Sequence, residues 1–114
     1  MNLREKQAEF LTMVSKLVSF CAISGKRVFI NELYRSKERQ AELYGIGRSK
    51  TINSKHLIGL AIDLVLIDEN GKPDWNFEHY IPLGEYWEKL GGIWGGRWKL
   101  KDGVHFEYQD KEKK

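Results

Sequence analysis

Residues 54–63 read SKHLIGLAID and place His56 and Asp63 seven positions apart in an otherwise apolar run. A neutral imidazole and a carboxylate both bind zinc, with bonds of about 2.0–2.2 Å, so two donor atoms on one tetrahedral ion lie about 3.3 Å apart. A straight helix would separate the two α-carbons by about 10.5 Å along its axis, and a straight strand would separate them by about 23 Å on opposite faces. If they share an ion, the chain must turn between them, and Gly59 can adopt the backbone angles of a turn. A buried structural pair is the alternative, and only a third ligand decides between the two.

The composition is that of one folded domain, which we expect to span residues 1–114 with a frayed tail at 110–114. Hydrophobic residues make up 41% and charged residues 31% of the chain, which is typical of a globular rather than a disordered protein. The net charge of +3 favours polyanions. However, the basic residues are scattered among nearly as many acidic ones, so we predict no nucleic-acid partner. No apolar run approaches the 18 residues of a membrane span, so we predict no membrane insertion.

The hydrophobic periodicity predicts an α+β fold. Helical spacing of apolar residues covers 5–23, 38–44 (with Ser36 as N-cap) and 82–90, while strand patterns cover 27–33, 61–68 and 104–108. The dipeptide Asn70-Gly71 predicts a hairpin turn after the second strand. We expect a small antiparallel sheet that carries Asp63 and His105, with helices packed on one side.

His105 is the natural third ligand, because it lies on a strand that is distant in sequence from the other two candidates. Asp102 precedes it by three positions, and Gly103 suggests that Asp102 belongs to the turn leading into the strand, where its side chain can lean over the same site. Two histidines and one carboxylate with a fourth position open form the pattern of a catalytic zinc ion rather than a structural one.

Further candidates each have a plain structural alternative. Trp94 and Trp98 lie in a segment with four glycines and would either wall a groove for an extended substrate or close the core. Arg35 lies where a strand passes into a helix, which suits a functional residue or an ordinary surface arginine. Ser54 and Glu107 are candidates for hydrogen bonds to the ligand histidines. Alternatively, Ser54 caps a turn and Glu107 faces solvent.

The motifs together resemble the M15 peptidases, zinc enzymes of bacterial cell-wall metabolism. The resemblance rests on Ser-x-His-x-x-Gly-x-Ala-x-Asp at 54–63, Trp-Gly-Gly-x-Trp at 94–98, Asp-x-x-His-Phe at 102–106 and the Tyr-Arg-Ser motif at 34–36. It runs from about residue 34 to residue 108. The chain departs from the family pattern at two places. Val104 stands where many relatives have proline, and the loop at 48–54 is short.

The resemblance implies a Hedgehog/DD-peptidase-like fold with one zinc ion per chain, held by His56, Asp63 and His105. It implies Asp102 as the general base that acts on a zinc-bound water, and Arg35 as the partner of a substrate carboxylate or of the oxyanion. An aspartate at the base position together with Trp-Gly-Gly-x-Trp resembles the branch that cuts between L-Ala and D-Glu.

The leading hypothesis is therefore a zinc endopeptidase that cuts the L-Ala–D-Glu bond of the peptidoglycan stem peptide, its partner being that peptide. The alternatives are a D-Ala-D-Ala carboxypeptidase or dipeptidase that uses the same site, and a non-catalytic wall-binding module. We expect a monomer without an export signal, cytoplasmic in the producing cell and acting on the wall after release, as suits a phage or prophage endolysin.

Overall fold

The computed structural model describes residues 1–33, 36–47 and 55–110. Three α-helices and five β-strands follow one another as α1 (Leu3–Ile23), β1 (Arg27–Glu32), α2 (Lys37–Gly45), β2 (Ala61–Ile67), β3 (Pro73–Asp74), α3 (Ile81–Lys89), β4 (Ile93–Trp94) and β5 (His105–Glu107). Short 3₁₀ helices occupy Lys55–Ile58, Phe77–Tyr80 and Gly95–Arg97. The predicted α+β class is confirmed, with element ends that shift by at most two residues.

Local chemistry explains where the helices begin. α1 starts earlier than the apolar stripe predicts, because Asn2 and Glu5 form a capping box in which each side chain accepts a hydrogen bond from the other's backbone N–H. α2 begins after Ser36, whose side chain accepts from the Arg39 N–H as predicted. α3 takes proline in its first turn, where the missing N–H costs no hydrogen bond.

The sheet is antiparallel, in the order β1–β2–β5–β4, with β3 paired to the end of β2. β2 is the central strand, and all but its last residue are buried. Because side chains alternate along a strand, β2 presents two distinct faces. Ile62, Leu64 and Leu66 point into the hydrophobic core, whereas Ala61 and Asp63 lie on the opposite face.

The core lies between α1, α3 and one face of the sheet. Its fully enclosed large side chains come from all three elements and include Leu17, Leu83, Trp87, Trp94 and Phe106. Cys21 lies in this core, and burial raises the pKa of its thiol. In the described part of the chain, none of the helices combines the length and apolar character needed to cross a membrane.

Tyr80 joins β2 to β3 and offers a test of the core. Its hydroxyl accepts a hydrogen bond from the Leu66 N–H at 2.8 Å and donates to the Asp74 carbonyl at 2.6 Å, and the residue is 1% exposed. Tyr80→Phe leaves a buried N–H without its acceptor, so we expect the free energy of unfolding to fall by about 1–3 kcal/mol in urea titrations. Tyr44→Phe makes the same change at a side chain that is 47% exposed, and we expect it to stay within about 0.5 kcal/mol of the wild type. Equal stability of the two variants would contradict the assignment.

Candidate metal centre

Strand pairing brings two of the candidate ligands, Asp63 and His105, together. Asp63 on β2 is the direct antiparallel partner of His105 on β5, so their side chains project from the same face of the sheet. His105 Nδ1 lies 3.2 Å from Asp63 Oδ1. This face is the one that points away from the helical core.

His56 arrives from the 3₁₀ helix that precedes β2. The chain then turns at Gly59, whose φ of +66° is in the left-handed region that favours glycine. The turn brings His56 Nε2 to 3.3 Å from Asp63 Oδ1, as the sequence required for a shared ion. The other ring nitrogen, Nδ1, lies 3.0 Å from the Leu33 carbonyl, an arrangement that would fix the tautomer with Nε2 available for a metal.

The three residues fit a metal ion. One ligand atom from each of His56, Asp63 and His105 can be chosen so that all lie within 4.8 Å of one another, and all three residues are buried. The separations of 3.2 and 3.3 Å match the roughly 3.3 Å expected between donors on a tetrahedral zinc ion. They are longer than the 2.7–2.9 Å or so of a strong charged hydrogen bond. Two imidazoles and one carboxylate are also the donor types that zinc prefers.

The electrostatics of the cluster favour a negative carboxylate beside the histidines. Burial alone would raise the pKa of Asp63, but hydrogen bonds from His105 and His56 outweigh it and lower the pKa to about 2. Burial would likewise lower the pKa of His105, but hydrogen bonds to Asp63 and Glu107 raise it to about 9. Because this pKa is raised, His105 holds its protons more tightly than a free imidazole, and a metal ion that binds Nδ1 competes with a proton there.

Glu107 lies on the same face as His105, because side chains alternate along β5. Its Oε1 is 2.8 Å from His105 Nε2, and its Oε2 is 3.1 Å from Lys55 Nζ. Burial opposes the charged form of Glu107, but the hydrogen bond with His105 and the charge of Lys55 prevail, so its pKa is lowered. Glu107 is thus directed at a candidate ligand rather than facing solvent alone.

Asp102 begins the turn that leads into β5. Its carbonyl accepts the His105 N–H at 3.2 Å, and its own N–H donates to the Gly95 carbonyl at 2.9 Å. A β-carbon placed on Gly95 would lie 3.0 Å from His105 Cβ and 3.2 Å from Asp102 Cβ. Asp102 and His105 therefore project beside the same glycine, which is consistent with the predicted location of Asp102 at the edge of the cluster.

The two tryptophans differ in their surroundings. Trp98 is 40% exposed, and its ring centroid lies 4.8 Å from that of His105, so it can still contact a bound molecule. Trp94 is 1% exposed, and its Nε1 donates to the Gly103 carbonyl at 2.8 Å. The prediction that Trp94 lines a substrate groove is therefore wrong. Its ring closes the core, and its hydrogen bond to Gly103 supports the turn that contains Asp102.

Arg35 and Ser54, the remaining candidates, lie outside the described residues. Two contributors to the site were not found by sequence reasoning, namely Lys55 and the close approach at Gly95. Both depend on which atoms meet across the sheet, and a single sequence gives no direct signal for that. The third histidine, His79, pairs with Asp74 at 2.6 Å on the surface and takes no part in the cluster.

A buried cluster of two histidines and one carboxylate, on one face of a small antiparallel sheet, has the donor set expected of a mononuclear metal site of the catalytic type. The chain belongs to the M15 peptidases: a model of that family, described as D-alanyl-D-alanine carboxypeptidase, matches residues 47–108. The family resemblance read from the motifs is confirmed.

Named relatives lie in the same family. The chain is 36% identical over 110 residues to the peptidoglycan L-alanyl-D-glutamate endopeptidase CwlK of Bacillus subtilis (strain 168), an alignment that covers 80% of this chain and 66% of the relative. It is 35% identical over 101 residues to the L-alanyl-D-glutamate peptidase of Listeria phage A118, covering 84% of this chain and 35% of the relative. The chain thus spans about two thirds or less of the length of these curated relatives.

Solved structures agree with the fold. The L-Ala D-Glu endopeptidase ChiX of Serratia marcescens superimposes with a TM-score of 0.75 at 30% identity, covering 97% of this chain and 86% of that one. The vancomycin resistance D,D-pentapeptidase VanY, an E175A mutant in complex with Zn(II), superimposes with a TM-score of 0.61 at 19% identity, covering 90% and 72%. The expected DD-peptidase-like fold is confirmed.

Proposed function

We propose that this chain hydrolyses the peptidoglycan stem peptide between L-Ala and D-Glu, with a zinc ion held by His56, Asp63 and His105. The observation that carries the proposal is the meeting of these three buried side chains, with a nitrogen of each imidazole at 3.2–3.3 Å from the same oxygen of Asp63, as expected for donors that share a tetrahedral ion. The choice of bond follows three relatives, two by sequence and one by structure, whose names specify L-alanyl-D-glutamate cleavage.

Each ligand has a distinct source of rigidity. Asp63 and His105 are paired residues of adjacent strands, and His56 is oriented by the Leu33 carbonyl. A zinc ion bound there would act as a Lewis acid on the scissile carbonyl and lower the pKa of a water molecule to about 7. Rigid ligands hold the reacting groups in place, which is where much of an enzyme's rate advantage arises.

Asp102 would serve as the general base and acid. Its place beside His105, across Gly95, suits a carboxylate that takes a proton from the attacking water and delivers it to the leaving amine. Such proton transfer contributes about 10²–10⁴-fold to a rate. A protein that only bound the wall would have no use for a carboxylate at this place.

Two other residues would contact the substrate. The exposed ring of Trp98 beside His105 offers a flat apolar surface next to the metal centre. Arg35, assigned from the family motif, would bind a substrate carboxylate or the developing oxyanion. We further propose that residues 1–114 form one monomeric catalytic domain, which acts on the cell wall after release from the producing cell.

Digestion of purified peptidoglycan tests the proposal. We expect fragments with a new N-terminal D-Glu in mass spectra, no fragments after treatment with a zinc chelator, and recovery on adding zinc back. Release of free D-Ala without a new D-Glu terminus would replace the proposal with the carboxypeptidase activity named in the family description. Wall binding without any product, in protein shown to contain zinc, would leave only the binding-module hypothesis.

A further inference from the structure

The metal centre is connected to a lysine that the family motifs do not include. Lys55 directly precedes His56 on the 3₁₀ helix, and its Nζ lies 3.1 Å from Glu107 Oε2 and 2.6 Å from the Tyr108 carbonyl. Glu107 in turn contacts His105 Nε2 at 2.8 Å. The Lys55 side chain thus links the 3₁₀ helix that carries His56 to the strand β5 that carries His105.

We propose that Lys55 and Glu107 form a positioning pair, which holds the His105 ring so that Nε2–H donates to Glu107 and Nδ1 faces Asp63 to bind the metal. The inference rests on the proposed function only in taking zinc as the ion.

The geometry at His105 leaves each ring nitrogen with one role. Nδ1 lies 3.2 Å from Asp63 Oδ1, a separation suited to two ligands of one ion, whereas Nε2 lies at the shorter distance of a hydrogen bond to Glu107. A carboxylate that accepts from the second nitrogen of a ligand histidine fixes both the tautomer and the ring plane. Glu107 is therefore a positioning residue, and it does not itself reach the metal.

Lys55 would act through Glu107. A carboxylate at the end of a flexible side chain can point its oxygens in several directions, and contact with Lys55 Nζ leaves Oε1 directed at His105. The same ammonium group binds the Tyr108 carbonyl just past β5, so the end of the strand is held as well. The glutamate and lysine side chains are 13% and 30% exposed, so this pair is shielded more than a typical surface ion pair.

Electrostatics and positioning predict opposite effects for one variant. Lys55→Met removes a positive charge near a cation site, so simple Coulomb attraction predicts tighter zinc binding. If Lys55 acts by positioning Glu107, the same change loosens the His105 ring and weakens zinc binding. The sign of the change therefore separates the two explanations.

Zinc affinity, measured by competition with a chromophoric chelator, is the first readout. We expect Glu107→Ala to weaken zinc binding about 10–100-fold, the range for partners that orient a ligand, and Lys55→Met to weaken it about tenfold. Lys55→Arg should restore most of the affinity. In the Glu107→Ala background Lys55→Met should have little further effect, because the two act as one unit.

The ion pair between Lys6 and Asp110 is a matched control. Its atoms are 2.8 Å apart, both side chains are 14% exposed, and neither residue is part of the metal centre. Lys6→Met and Asp110→Asn should leave zinc affinity unchanged. Thermal unfolding of each metal-free variant shows whether the fold is retained, and Glu107→Gln provides a milder substitution should Glu107→Ala fail to fold.

A second readout reports on His105 directly. In the zinc-loaded wild type, ¹⁵N NMR of the histidine rings should show Nδ1 of His105 bound to metal and Nε2 protonated. In Glu107→Ala the Nε2 proton should exchange with water faster. Metal on Nε2, or wild-type zinc affinity in both Glu107→Ala and Lys55→Met, would overturn the inference while leaving the hydrolase proposal intact. A wild-type protein that binds no zinc would overturn both.

Discussion

Asp102→Asn is expected to lower kcat for stem-peptide cleavage by about 10²–10⁴-fold while zinc stays bound. The substitution keeps the size of the side chain and its capacity for hydrogen bonds, but it removes the group that takes up a proton. Asp102 is separate from the three candidate ligands that cluster in the structure, so the metal affinity should change little. A loss of activity without a loss of zinc is the signature of a general base.

The kinetic constants separate this role from substrate binding. A residue that acts in proton transfer affects the transition state more than the bound ground state, so kcat should fall with KM nearly unchanged. Asp110→Asn serves as a control, because it makes the same chemical change at a carboxylate paired with Lys6. Turnover by zinc-loaded Asp102→Asn at the rate of Asp110→Asn would remove Asp102 from the mechanism.

The fold could be predicted from sequence wherever one pattern dominates a segment. The stripe of α1, the apolar run of β2 and the cap at Ser36 each gave the correct element, because burial and capping act locally. Element ends were less accurate. α1 began at Leu3 because of the Asn2 capping box, and β5 proved shorter than the pattern at 104–108. These ends depend on individual hydrogen bonds rather than on periodicity.

The candidate metal centre was predictable for a different reason. The turn at Gly59 was required by the spacing of His56 and Asp63, and the structure has it there with a positive φ. The contribution of Lys55 was not predictable, since its contact with Glu107 joins residues 52 positions apart and depends on the register in which β5 pairs with β2. The residue types that can bind a metal are visible in the sequence, whereas the residues that hold them in position are determined by tertiary packing.

The glycine-rich segment at 91–98 shows the limit of what a sequence pattern predicts. In the structure three of its glycines each lie against a different residue. Gly92 lies against Trp87, and Gly96 lies against Trp94, at distances that exclude a β-carbon. Gly95 is different, because its nearest neighbour is backbone: a β-carbon there would lie 2.5 Å from the Asp102 carbonyl oxygen. Backbone cannot rotate away as a side chain can, so this approach constrains the site itself.

Gly95→Ala should therefore disable the enzyme more severely than a single methyl group suggests. The added carbon would push the Asp102 turn away from the 3₁₀ helix at Gly95–Arg97 and would also press on His105 Cβ, 3.0 Å away. Displacing a catalytic group by about 1 Å can cost about 10²-fold in rate, and overpacking of this kind costs about 1–3 kcal/mol of stability. We expect at least a hundredfold loss of kcat/KM together with weaker zinc binding, because the proposed base Asp102 and the candidate ligand His105 move together.

Gly45→Ala is the matched control for this prediction. Gly45 ends α2 with a negative φ, and a β-carbon there would meet no other described atom within 4 Å. The change should leave activity and zinc affinity at wild-type levels and stabilise the helix slightly, by about 0.5–1 kcal/mol at most. Kinetics and chelator competition on both variants, with urea unfolding to measure the stability cost, complete the test. Wild-type activity and zinc affinity in Gly95→Ala would mean that the Asp102 turn can move without consequence, and that its position beside His105 does not matter for catalysis.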